Sequence, residues 1–87
     1  MNLPKELEEI AKNLREKGMK YLLTDEEGLI IEGNMQNQLK IAGLTSTVIK
    51  QIDDMLGRLT PRYYSLKLEN KRIYIVRKRG FLIIIEK

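Results

Sequence analysis

Five basic side chains, Lys71, Arg72, Arg77, Lys78 and Arg79, lie close together with Tyr74 between their two halves, and they make the strongest chemical signal in the sequence. Convergent positive charge of this kind displaces counterions from a phosphate backbone or steers an acidic protein surface into place. A solvated hairpin whose charges discourage edge-to-edge aggregation accounts for the same residues. The run Asp25-Glu26-Glu27 lacks the spaced oxygen ligands and the distant bidentate Glu of a calcium loop, so it reads as a solvated turn. Asp53 and Asp54 are adjacent, and adjacent helical positions point about 100° apart, so the two carboxylates do not converge on one substrate. Neither Gly28 nor Gly80 stands in a phosphate-binding glycine pattern, and no nucleotide site is expected.

The chain has no cysteine and no histidine. A disulfide framework, a thiolate metal site, a cysteine nucleophile and the commonest general base are thereby excluded. A non-enzymatic protein with no catalytic residues, no cofactor and no metal is the expectation. The net charge of +4 divides unevenly: residues 1–44 carry six Lys/Arg and eight Asp/Glu (−2), residues 45–87 ten and four (+6). The basic character belongs to the C-terminal half. A chain of 87 residues is expected to form a single domain over residues 1–87, with a small core that a dimer would supplement. The apolar run Phe81 to Ile85 is too short to cross a bilayer and no signal-peptide pattern opens the chain, so a cytoplasmic protein without membrane insertion is expected.

The elements that position these residues follow from periodicity. Leu3, Leu7, Ile10, Ala11 and Leu14 recur three or four apart and predict an amphipathic helix closed by Gly18, with Asn2 available as its cap. Met19 to Thr24 and Leu29 to Glu32 read as two strands joined by a hairpin loop at Asp25-Glu26-Glu27-Gly28. Asn34 or Asn37 can cap a second helix running from about Gln36 to Leu59. On that helix Ile41, Leu44, Val48, Ile52, Met55 and Leu59 form one apolar stripe, and Ala42, Ile49 and Leu56 form a second beside it, for an arc of about 160°. So broad an arc implies two apolar neighbours, the sheet for the first stripe and another copy of the helix for the second, or else a helix sunk deeply into its own fold. Beyond Thr60-Pro61, Tyr63 to Glu69 alternates in character and reads as a strand. Arg72 to Arg77 and Phe81 to Ile85 read as two more, joined by a turn at Lys78-Arg79-Gly80. The last is apolar at every position, which places it inside the sheet with both faces covered. The result is an α+β domain, order α-β-β-α-β-β-β, with a five-stranded antiparallel sheet between two helices.

Element order, the hairpin Tyr21-Leu-Leu-Thr-Asp25-Glu-Glu-Gly28-Leu-Ile-Ile-Glu-Gly33 and the small-residue-rich helix start Ala42-Gly-Leu-Thr-Ser-Thr-Val-Ile49 together resemble the Roadblock or dynein light-chain superfamily. Its members include bacterial and archaeal regulators of Ras-like GTPases. The resemblance implies a Roadblock-like (profilin-like) fold, here without the C-terminal helix that many members carry. It also implies a homodimer in which the long helices pack together and the following strands pair edge to edge. Residue by residue, Ala42, Ile49 and Leu56 fall on the helix seam and Tyr63, Ser65 and Lys67 on the pairing strand. The function implied is an adaptor or regulator of a small Ras-like GTPase, with Lys71, Arg72, Arg77, Lys78 and Arg79 as partner-binding residues. If an arginine finger exists, Arg72, Arg77 and Arg79 are its candidates. The alternative is a small nucleic-acid-binding protein that uses the basic 71–79 hairpin.

Overall fold

The computed structural model describes residues 3–57, 62–68 and 70–87. Helix α1 spans Lys5–Glu16, strands β1 and β2 Lys20–Asp25 and Ile30–Gly33, and helix α2 Gln38–Leu56. Strands β3, β4 and β5 follow at Tyr63–Leu68, Lys71–Lys78 and Phe81–Glu86. The expected element order is the observed one. All pairings are antiparallel, and the five strands lie in the order β2-β1-β5-β4-β3. β5 is central, as its unbroken apolar sequence requires: Leu82 and Ile84 enter the core under α2, and Ile83 enters the core under α1.

Turn chemistry sets the register. Asp25 Oδ1 accepts hydrogen bonds from the backbone N–H of Glu27 (2.9 Å) and Leu29 (2.8 Å), which closes the β1–β2 hairpin. Arg79 and Gly80 both have positive φ (52° and 79°), the geometry of a two-residue hairpin whose twist matches its strands. The expected caps fall out differently. Asn37 occupies the N-cap of α2 in a left-handed conformation, but no side chain caps that helix. Asn34 instead ties β2 to β1, its Oδ1 accepting from Tyr21 N at 2.8 Å and its Nδ2 donating to Met19 O at 3.0 Å. Pro4 is the N-cap of α1, and Asn2 lies outside the described residues.

α1 buries Leu7, Ala11 and Leu14 on one side of the sheet, against Tyr21, Leu23 and Ile83. α2 covers the opposite side, and here the structure corrects the assignment of its stripes. Ala42 and Ile49, placed by the resemblance on a seam between two copies, are 2% and 1% exposed in the single chain and pack with Leu22, Ile75, Leu82 and Ile84. Of the stripe expected to face the sheet, Ile41 and Ile52 do so, whereas Leu44 and Met55 are 38% and 81% exposed and Val48 is half-buried. Leu59 lies outside the described residues. The reason is that Thr45 and Ser46 belong to the sheet-facing arc. Their hydroxyls donate to carbonyls of their own helix, Thr45 to Ile41 and Ala42 (2.9 and 3.1 Å) and Ser46 to Gly43 (3.2 Å), so burial leaves no polar atom unpaired. The hairpin also needs small residues beneath it. A Cβ at Gly28, whose φ is +93°, would stand 3.0 Å from Ser46 Oγ and 3.1 Å from the Ala42 carbonyl. Turning the helix so that Ala42, Ser46 and Ile49 face inward leaves Leu44, Val48 and Met55 outward.

Candidate functional site

Among the described residues, the outward stripe of α2 and the outer edge of the six-residue β3 have no partner within the chain; the sheet's other edge is the four-residue β2. β3 ends the sheet, so among the described residues its outer row of backbone N–H and C=O groups has no strand to pair with. Tyr63 on that strand is 73% exposed, and Ser65 and Lys67 are also exposed. Leu56, the third residue assigned to the helix seam, shares the arc of Ala42 and Ile49 but is 42% exposed because it lies at the end of α2. Between the helix and the β3–β4 ribbon runs an open groove of about 400 Å³, floored by Ile41, Leu44 and Ile73 and flanked by Lys40, Lys67 and Lys71.

The five basic residues do not converge. Strand alternation sends Lys71 and Arg77 to the α2 side and Arg72 and Lys78 to the α1 side. Lys71 Nζ pairs with Glu86 at 3.2 Å. Lys78 Nζ and Arg79 Nε take the two oxygens of Glu6 on α1 at 2.6 and 2.9 Å, and these hydrogen bonds hold the Glu6 carboxyl below its ordinary value of 4.5. Arg72 donates to Ser65 Oγ at 3.0 Å and has no carboxylate partner among the described residues.

Arg77 is the most engaged of the five. Its Nη2 and Nε donate to Glu26 Oε1 (2.6 and 3.1 Å), and its Nη1 to Asp53 Oδ1 (2.7 Å) and Tyr64 OH (3.4 Å). Burial alone would lower its pKa, but the bonds to Glu26, Tyr64 and Asp53 outweigh that and raise it above the ordinary arginine value. One guanidinium thus joins the β1–β2 hairpin, the end of α2 and β4. A side chain so held is a structural brace, whereas Arg79 pairs with Glu6 at the surface with its side chain 65% exposed. Glu26 and Asp53 prove to be the brace's partners. Reading the strand alternation would have placed Arg77 beside Ile73 and Ile75, but partners at positions 26 and 53 carry no local signal.

A second network supports the other end of the sheet. The Tyr21 hydroxyl donates to Glu32 Oε2 (2.7 Å) and accepts from Arg15 Nη1 (2.8 Å), while Arg15 also pairs with Glu32 at 2.6 Å. Burial raises the Tyr21 pKa above its ordinary 10.0, with the Arg15 bond pulling the other way. Among the described residues no group of acidic side chains is arranged to hold a metal ion, and no helix is long and apolar enough to cross a membrane.

No protein-family model matches the sequence, and no curated protein does. Solved structures do match. An MglB in a tetrameric arrangement superposes with a TM-score of 0.73 at 17% identity, over 94% of this chain and 70% of that one. The gliding protein MglB from Thermus thermophilus gives 0.72 at 16% identity, over 90% and 67%. A Roadblock/LC7 domain from Streptomyces avermitilis gives 0.63 at 13% identity, over 77% and 62%. The chain has the Roadblock fold. At these identities the likeness is one of architecture: two helices about a five-stranded antiparallel sheet in the order α-β-β-α-β-β-β. Within this Roadblock fold, β3 and α2 carry the exposed edge and the exposed stripe.

Proposed function

We propose that the chain is a non-enzymatic homodimeric adaptor that binds a small Ras-like GTPase and biases it by preferring one of its nucleotide states. The observation that carries this reading is the structural likeness to MglB over 94% of the chain, since the Roadblock resemblance implies that role. The exposed surfaces are consistent with the dimer. Pairing of two β3 edges through the strand bearing Tyr63, Ser65 and Lys67 would join two sheets and bury both rows of open backbone groups. The helix seam in this proposal runs through Leu44, Val48 and Met55 in place of Ala42 and Ile49, and the exposed Leu56 stands at the helix end. Of the five basic residues assigned to the partner, Arg72 remains available for it.

The test combines sedimentation velocity with calorimetric titration of Ras-like GTPases from the source organism, each loaded with GDP or a non-hydrolysable GTP analogue. A dimer that binds one such GTPase with a clear preference between the two states is expected. A monomer, or binding indifferent to the nucleotide, would refute the reading.

A further inference from the structure

Alternate residues of β3, β4 and β5 face the side of the sheet that α1 occupies, but α1 lies over β1 and β5 and leaves the β3–β4 half open. On that open half Tyr63 is 73% and Tyr74 37% exposed. Tyr63 lies opposite Val76 while Tyr74 lies opposite Ser65, so the two residues are diagonal neighbours on adjacent strands, positions about 7–8 Å apart in a regular sheet. Arg72 and Lys87 stand on the same face, and Lys67 stands at its edge, where it also lines the groove beside α2. Lys87 Nζ sits 5.7 Å from the Tyr74 ring centroid, and none of the three has a carboxylate partner among the described residues. No described acidic residue projects from this side of β3, β4 or β5, because Glu86 lies on the opposite side with Lys71. Lys78, at the rim, shares the single Glu6 carboxylate with Arg79.

We propose that this open half-face binds single-stranded nucleic acid, Tyr63 and Tyr74 stacking bases while Lys67, Arg72 and Lys87 neutralise backbone phosphates. The surface is distinct from the basic 71–79 hairpin read in the sequence, whose residues are divided between two faces. Uncompensated cations call for a polyanion. The exposed apolar area is aromatic, since Val76 and Ile85 are half-covered, and ring faces on a sheet suit bases of any sequence. The proposal does not rest on the GTPase reading, although the two share Arg72 and strand β3.

Fluorescence anisotropy with labelled oligo(dT), its duplex with oligo(dA), and labelled polyglutamate tests it, with circular dichroism confirming that each variant is folded. Expected are binding of oligo(dT) above the duplex, and a log–log salt slope of about −2, from roughly 0.7 for each of three neutralised phosphates. Tyr74→Ala should weaken binding about tenfold, the size of one lost stack, with Tyr74→Phe restoring it. Lys71→Ala, on the opposite face, should change nothing. The proposal is overturned if oligo(dT) does not bind at low salt, if the duplex binds as well, or if folded Tyr74→Ala binds like the wild type. Equal binding of polyglutamate also overturns it, and assigns the face to an acidic protein instead.

Discussion

Shortening Ile49 to alanine separates a residue that holds one chain together from one that joins two. Ile49 is 1% exposed and sits in the core formed by α2 and the sheet. Removing its three outer carbons costs the lost transfer energy and leaves a cavity that rigid strands cannot close, for about 3 kcal/mol within the usual range of about 2–5. The whole stability of an 87-residue domain is about 4–13 kcal/mol, so between about a fifth and three-quarters of it disappears. For a domain this small each kcal/mol shifts Tm by about 4–8 °C, and Ile49→Ala should melt about 12–24 °C below the wild type. Met55 is 81% exposed, and Met55→Asp should change the stability of the isolated chain by less than about 0.5 kcal/mol. Its effect should fall on association: the melting midpoint should lose its dependence on protein concentration, and sedimentation equilibrium should show monomer. The assay is thermal denaturation by circular dichroism at several protein concentrations beside sedimentation of each variant. An Ile49→Ala protein that melts within about 4 °C of the wild type yet fails to dimerise would refute this assignment and return the seam to Ala42, Ile49 and Leu56.

Arg77→Met should destabilise by about 1–2 kcal/mol in urea denaturation, because it strands Glu26 and Asp53 but leaves them 42% and 36% exposed, where water screens much of the loss. The same substitution should cost less in an Asp53→Asn background, and strict additivity of the two would show that no brace exists. For Tyr21, whose pKa is raised in the folded chain, the stabilisation is complete below the ordinary value of 10.0 and is lost as pH rises through the folded value. Urea stability of the wild type should therefore fall more steeply above about pH 10 than that of Tyr21→Phe, and parallel curves would contradict the burial of that hydroxyl.

The order of elements, the two hairpin turns and the central place of β5 were legible in the sequence because each rests on a short-range cause. Asp25 and Gly28 close one hairpin through a side-chain oxygen and a positive φ; Arg79-Gly80 closes another; five consecutive apolar residues from Phe81 to Ile85 leave a strand no face to turn to water. Tertiary structure decided which face of α2 is the core. Two adjacent apolar stripes fit the sheet equally well by periodicity. The observed face sets Ala42 and Ser46 against Gly28, where a Cβ would meet them at 3.0–3.1 Å, and the hydroxyls of Thr45 and Ser46 bond within their own helix, so their burial strands no polar atom. The fate of the basic cluster was decided the same way. Five neighbouring cations look convergent along the chain, but the carboxylates that four of them meet, Glu6, Glu26, Asp53 and Glu86, come from α1, the first hairpin, α2 and β5. Charge pairing acts through space and depends on which segments meet, so it became visible once the sheet had brought them together.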